Sequence, residues 1–246
     1  MRKIDKQNVL VVAAVVLCFM TTLGICYFAG GSGILSAINF GENEEKYYLL
    51  IGGAYEDISL ARASAELICS RGGAGYVLTG DTHEVVLAVY ASREDAEAVL
   101  NNGSSGGAYI KEVNVKRSEL KWADKESRKT VENALEYFPL AFGVLYELSN
   151  GLNGKIVTIA DAKTRVAVLR SQIEEKRSIF NSATRDKSAS QYTEIKLVLV
   201  TALALIDNIE YSTRLSSAET EAAAASSMRY QLVQLVLCRS ALGDAL

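Results

Sequence analysis

One histidine, His83, and four cysteines, Cys18, Cys26, Cys69 and Cys238, are all the imidazole and thiol chemistry in this chain. A zinc site needs three or four such ligands gathered in one place. One histidine and two cysteines far apart beyond residue 30 do not supply them. Ser-His-Asp catalysis would have to run through His83, which opens the apolar run HEVVLAVY and reads as part of a strand. No glycine-rich loop carries the lysine of a phosphate cradle, and Gly72-Gly73 and Gly106-Gly107 read as turns. Glu42, Glu44 and Glu45 read as a solvated charge run, and Glu174-Glu175 as a solvated helix face. No spacing singles out the carboxylate pair a glycosidase needs. These residue types point away from an enzyme and leave no catalytic residue, cofactor or metal to nominate.

Aromatic residues are the better lead. Tyr47, Tyr48, Tyr55, Tyr76, Tyr90 and Tyr109 fall within about one quarter of the sequence. A tyrosine ring can stack on a sugar face and offer its hydroxyl for hydrogen bonding. Alternation along a strand sends about half of such rings to a helix-covered side. Tyr55 and Tyr90 accordingly read as core or edge residues.

The elements that must position these rings repeat. YEDISLA at Tyr55 and YASREDA at Tyr90 each follow a short apolar run and each lead into a helix signal. YYLLIGG reads as a strand, and Asp57 as the N-cap of a helix carrying Leu60, Ala61, Ala65 and Ile68 at helical spacing. Arg71-Gly72-Gly73 closes that helix. GYVLTG and HEVVLAVY read as the next two strands, joined by a turn at Gly80-Asp81-Thr82. SREDAEAVLNNG reads as a second helix, with Ser92 and Asp95 close to a capping box, and AYIKEVNV as a fourth strand. Strand–helix–strand, written twice, predicts a four-stranded sheet with two helices on one face. Ala61 and Ala96 should let each helix lie close to the sheet. The other face should be free to bind something.

From Ser118 onward the pattern is helical, with four helices expected. The first runs to about Ser149, with a break or kink at Pro139, the chain's only proline, and a stop at Asn150-Gly151. Thr158 and Asp161 open the second, which ends near Phe180. The third spans about Ser188–Tyr211, with Ile195, Leu197, Leu199, Leu203 and Ile206 along it. Ser217 opens the fourth, with Met228, Leu232, Leu235 and Val236 as its stripe. Short polar links favour a bundle over an extended coiled coil, because heptads do not persist across them.

At the other end, residues 8–28, NVLVVAAVVLCFMTTLGICYF, carry no charge. As a helix they would be about 30 Å long, enough to cross a bilayer. Arg2, Lys3 and Lys6 precede them and should stay in the cytoplasm. A cleaved signal peptide is the alternative, but its apolar region is usually about 7–15 residues. Neither Cys18 nor Cys26 follows a small residue, which argues against a lipoprotein cleavage site. The expected plan is a cytoplasmic tail (1–7), a transmembrane helix (8–28), a flexible linker (29–45), an α+β domain (46–117) and an all-α helical bundle (118–246). The body would lie outside a cell membrane that the chain crosses once. Residues 46–117 hold 7 basic and 9 acidic side chains, and residues 118–246 hold 16 of each, so neither shows the basic footprint of nucleic-acid binding.

YYLLIGGAYEDISLARASAEL, HEVVLAVYASREDAEAVL and AYIKEV together resemble the SPOR (sporulation-related repeat) domain family across about residues 46–117. The whole plan is similar to single-pass SPOR membrane proteins of Gram-positive spore formers. The resemblance implies a βαββαβ fold and non-catalytic binding of peptidoglycan glycan strands at division or sporulation septa, through the helix-free face of the sheet. Carried over by motif, the binding positions are Ile51, where the family has glutamine, then Ala54, Thr82 and Tyr109. Ala88 stands where the family usually has glycine. The alternative is a degenerate SPOR-like domain serving as a structural or protein-interaction module, with a protein partner for the helical bundle. An open groove beside Tyr109 would favour glycan, and a flat aliphatic patch around Leu49 and Ile51 would favour protein.

Overall fold

The computed structural model describes residues 44–102, 107–116, 120–210 and 220–245. The expected transmembrane helix at 8–28 lies outside these residues. Among the described residues, no helix is long and apolar enough to cross a membrane.

The first half is a βαββαβ unit: β1 (Glu44–Tyr55), α1 (Ile58–Ser70), β2 (Tyr76–Thr79), β3 (His83–Tyr90), α2 (Arg93–Asn102) and β4 (Tyr109–Lys116). The four strands form an antiparallel sheet in the order β2-β3-β1-β4. Local signals set these boundaries. Asp57 caps α1 by accepting from the Ser59 amide at 2.7 Å, and the Ser92 hydroxyl accepts from the Asp95 amide at 3.3 Å. Gly75 joins α1 to β2 at φ +59, where a Cβ would stand 2.6 Å from the Ala65 carbonyl oxygen, so only glycine fits.

Two bulges in the β1–β3 pair sort side chains between the faces. Leu50 pairs with Ala88 and Ile51 with Val86, which leaves Leu87 extra; Gly53 pairs with Val85, which leaves Gly52 extra. A Cβ on Gly52 would lie 2.8 Å from Leu87 Cδ2. One face receives the two helices: Val85 packs with Ala61 and Ala65, and the Tyr55 hydroxyl donates to Ser64 Oγ at 2.9 Å. Ala61 and Ala96 are both fully buried, as their matching places in the repeat predict. Leu60, expected on the packed stripe, is instead 59 % exposed on the outer side of α1.

The second half holds a 3-10 turn (Leu120–Trp122) and five helices: α3 (Lys125–Leu135), α4 (Tyr137–Asn153), α5 (Ile159–Ala183), α6 (Ser190–Glu210) and α7 (Glu221–Ala245). The break expected at Pro139 falls three residues earlier, at Glu136. Pro139 thus occupies the first turn of α4, where a missing N–H costs nothing and its ring avoids the preceding turn. Asn150-Gly151 does not end α4, which runs on to Asn153. Gly151 is a buried contact instead: a Cβ there would lie 2.5 Å from Val157 Cγ2. Thr158 and Asp161 form the full capping box of α5. Ile195, Leu199, Leu203 and Ile206 of α6 are buried, whereas Leu197 is exposed. Ser217 lies outside the described residues; Thr220 caps α7, its hydroxyl accepting from the Ala223 amide at 3.2 Å.

The sheet face opposite α1 and α2 is covered, contrary to the expectation of a free binding face. α7 packs on β3 and β4 as well as on α1, α4 and α6. Met228, Leu232, Val233, Leu235 and Val236 of α7 are all buried, as befits a helix enclosed on most of its circumference. The Ser240 hydroxyl donates to the Asn114 carbonyl of β4 at 2.8 Å. Tyr47, Leu49 and Ile51 of β1 share one continuous core with Phe138, Phe142, Leu232 and the interior of the helical region. Sheet and helices lie in a single compact unit, Glu42–Leu246, so the helical region is no extended coiled coil.

Candidate functional site

The four positions carried over from the sequence resemblance lie on or beside the covered face, in different surroundings. Ile51 is fully buried in the shared core. Ala54 is exposed, near the end of β1, and pairs with Glu84 of β3. Thr82 is exposed in the turn between β2 and β3. Tyr109 begins β4 opposite Ile51 and is 37 % exposed. The fold therefore brings Ala54, Thr82 and Tyr109 to one end of the sheet and seals Ile51 beneath the helices.

At that end the covering helices leave a cleft of about 400 Å3. Thr79, Asp81, Thr82, Glu84 and Lys111 form its polar rim. Leu49, Leu78 and Val113 of the sheet and Leu237 of α7 line its apolar floor. Glu84 is the hub of the rim. Its carboxylate accepts from the Tyr109 hydroxyl at 2.5 Å on Oε1 and from Lys111 Nζ at 2.5 Å on Oε2. Desolvation alone would push the Glu84 carboxyl up, but the hydrogen bonds from Lys111 and Tyr109 outweigh it and hold the group below the usual carboxylate range. Burial, the hydrogen bond to Glu84 and the negative charge of that carboxylate together push Tyr109 up to about 12. Tyr109 is thus a neutral hydroxyl already donating to its own protein, in a side chain that is partly exposed.

Sequence reasoning missed Glu84 and Lys111. Strand period two puts Lys111 on the face of Tyr109 in β4, but only the register through β1 brings Glu84 to that face.

Other chemistry-bearing groups stand apart. Cys69 and Cys238 are free thiols. His83 begins β3, and its buried Nδ1 has no hydrogen-bond partner among the described residues. Among the described residues no cluster of three or more His, Cys, Asp or Glu side chains could hold a metal ion.

In comparisons with family models, curated proteins and solved structures, nothing matches this chain.

Proposed function

We propose that this chain is a non-catalytic structural and protein-interaction protein of the cell membrane, in which a degenerate SPOR-like sheet has become part of a helical body. Residues 8–28 would anchor it, with the N-terminus cytoplasmic and the body extracytoplasmic, and the helical region would meet a protein partner. The observation that carries this reading is the burial of Tyr47, Leu49 and Ile51 against Phe138, Phe142 and α7. A glycan strand lying along that face would have to displace a well-packed apolar core, which costs far more than a polar ligand returns.

A second reading, glycan-strand binding at division or sporulation septa, rests on the cleft beside Thr82, Glu84 and Lys111 and on the exposed ring of Tyr109. Co-sedimentation of the detergent-solubilised full chain with purified sacculi separates the two. The expected result is no sedimentation above that of an unrelated membrane protein, with or without amidase pretreatment of the sacculi. Amidase-enhanced sedimentation that Tyr109→Ala abolishes would replace the first reading with the second.

A further inference from the structure

At the other end of β3, α2, α4 and α7 wall a cleft of about 500 Å3. Asp95 from α2 and Arg229 from α7 are its charged groups, and Tyr90, Tyr146, Asn150 and Asn153 are its polar walls. Among the described residues neither Asp95 nor Arg229 has an ion-pair partner. Arg229 is held in place by neutral acceptors: Nη1 donates to the Gly72 carbonyl and Nη2 to Asn150 Oδ1, each at 2.8 Å. Those bonds fix the guanidinium plane and leave its charge uncompensated in a half-buried position, and burial lowers its pKa accordingly. The two tyrosine hydroxyls each sense both the Asp95 carboxylate and the Arg229 guanidinium, so both charges lie near them. The rings of Tyr90 and Tyr146, with centroids 6.3 Å apart, and the exposed side chain of Val99 add apolar surface to the cleft.

We infer that this cleft binds a small zwitterion of the α-amino-acid type with an apolar side chain. The ligand carboxylate would neutralise Arg229, whose remaining N–H groups suit a planar anion. The ligand ammonium would pair with Asp95, and its side chain would lie on the tyrosine rings and Val99. A dianion such as phosphate is disfavoured by Asp95, and a neutral sugar would leave Arg229 uncompensated. The volume falls within the usual range of small-ligand pockets, about 300–1,000 Å3.

The test is equilibrium dialysis of the full chain in detergent against L-leucine, N-acetyl-L-leucine and L-leucinamide. L-Leucine should bind saturably, and each blocked derivative should bind at least about tenfold more weakly. Asp95 is exposed, so Asp95→Asn should leave the fold intact, weaken L-leucine and erase its advantage over N-acetyl-L-leucine. Absence of L-leucine binding up to about 10 mM, or L-leucinamide binding as tightly as L-leucine, would overturn the proposal.

Discussion

Tyr47 of the sheet meets Phe138 of the helical region edge to face, with ring centroids 5.4 Å apart and planes 88° apart. Phe142 approaches the same tyrosine at 4.9 Å. Such contacts contribute beyond simple area burial, and here they join the two halves of the chain. Phe138→Ala should therefore cost about 3–5 kcal/mol and loosen the sheet together with the helices. Hydrogen exchange gives the reading: amides of β1 around Leu49 and amides of α4 should accelerate together. If β1 keeps its protection while α4 loses it, the sheet and the helices are separately stable units.

The repeat makes a contrasting pair of expectations on one helix. Ala61 is fully buried against the sheet and Leu60, its neighbour, is 59 % exposed. Ala61→Leu forces extra methylenes into a filled contact and should cost about 1–3 kcal/mol. Leu60→Ala should stay within about 0.5 kcal/mol. Urea midpoints of the two variants check this, and equal effects would mean that α1 packs through a different stripe.

The local elements of this fold were legible because their signals are local. Asp57, Ser92, Thr158 and Gly72 act within a few residues of themselves, and each cap or turn sits where its side chain or backbone freedom requires. The covering of the sheet was not read, because it depends on residues 90 or more apart in sequence. One clue was available. Tyr47, Leu49 and Ile51 alternate with Tyr48 and Leu50, so β1 is apolar on both faces, the mark of a strand buried on both sides. The polar groups at the cleft end of the sheet were half legible. Tyr109 and Thr82 were found by motif, whereas Glu84 and Lys111 became visible only once the register of β1 with its two neighbours was known.

Tyr109 and Glu84 predict opposite pH dependences. The Tyr109 hydroxyl titrates at about 12 in the folded chain against about 10 in an unfolded one. A raised folded value means that its contribution to stability is complete below pH ~10 and is lost as pH rises through about 12. Glu84 is shifted down, so its contribution is complete above the ordinary glutamate range, pH ~4.3, and is lost as pH falls through its lower folded value. The difference in tyrosinate absorbance between the parent and Tyr109→Phe isolates the first titration. Glu84→Gln should return it part of the way towards ordinary tyrosine, because burial, the largest cause of the shift, remains while the carboxylate's charge and its hydrogen bond are removed. A difference spectrum that already titrates near pH ~10 in the parent would show that the Tyr109–Glu84 bond does not persist in solution.

Ile51 is the single residue at which the two functional readings part. If the sheet face were a solvent-exposed binding surface, Ile51→Gln would place an amide in water at little cost, and in a SPOR-type site it would restore the family's side chain. Ile51 instead pairs with Val86 on one side and Tyr109 on the other, with no exposed surface, inside the core that β1 shares with α4 and α7. A glutamine there would lose apolar burial and bring two donors and an acceptor into a site without partners for them. The cost should be about 3 kcal/mol or more, with a lower urea midpoint and no gain in sacculus binding. Ile51→Val, which keeps the site apolar and removes one methylene, should cost only about 0.5–1.5 kcal/mol. A stable Ile51→Gln variant that sediments with sacculi would mean that α4 and α7 leave the face in solution, and that glycan rather than the chain's own helices is its proper occupant.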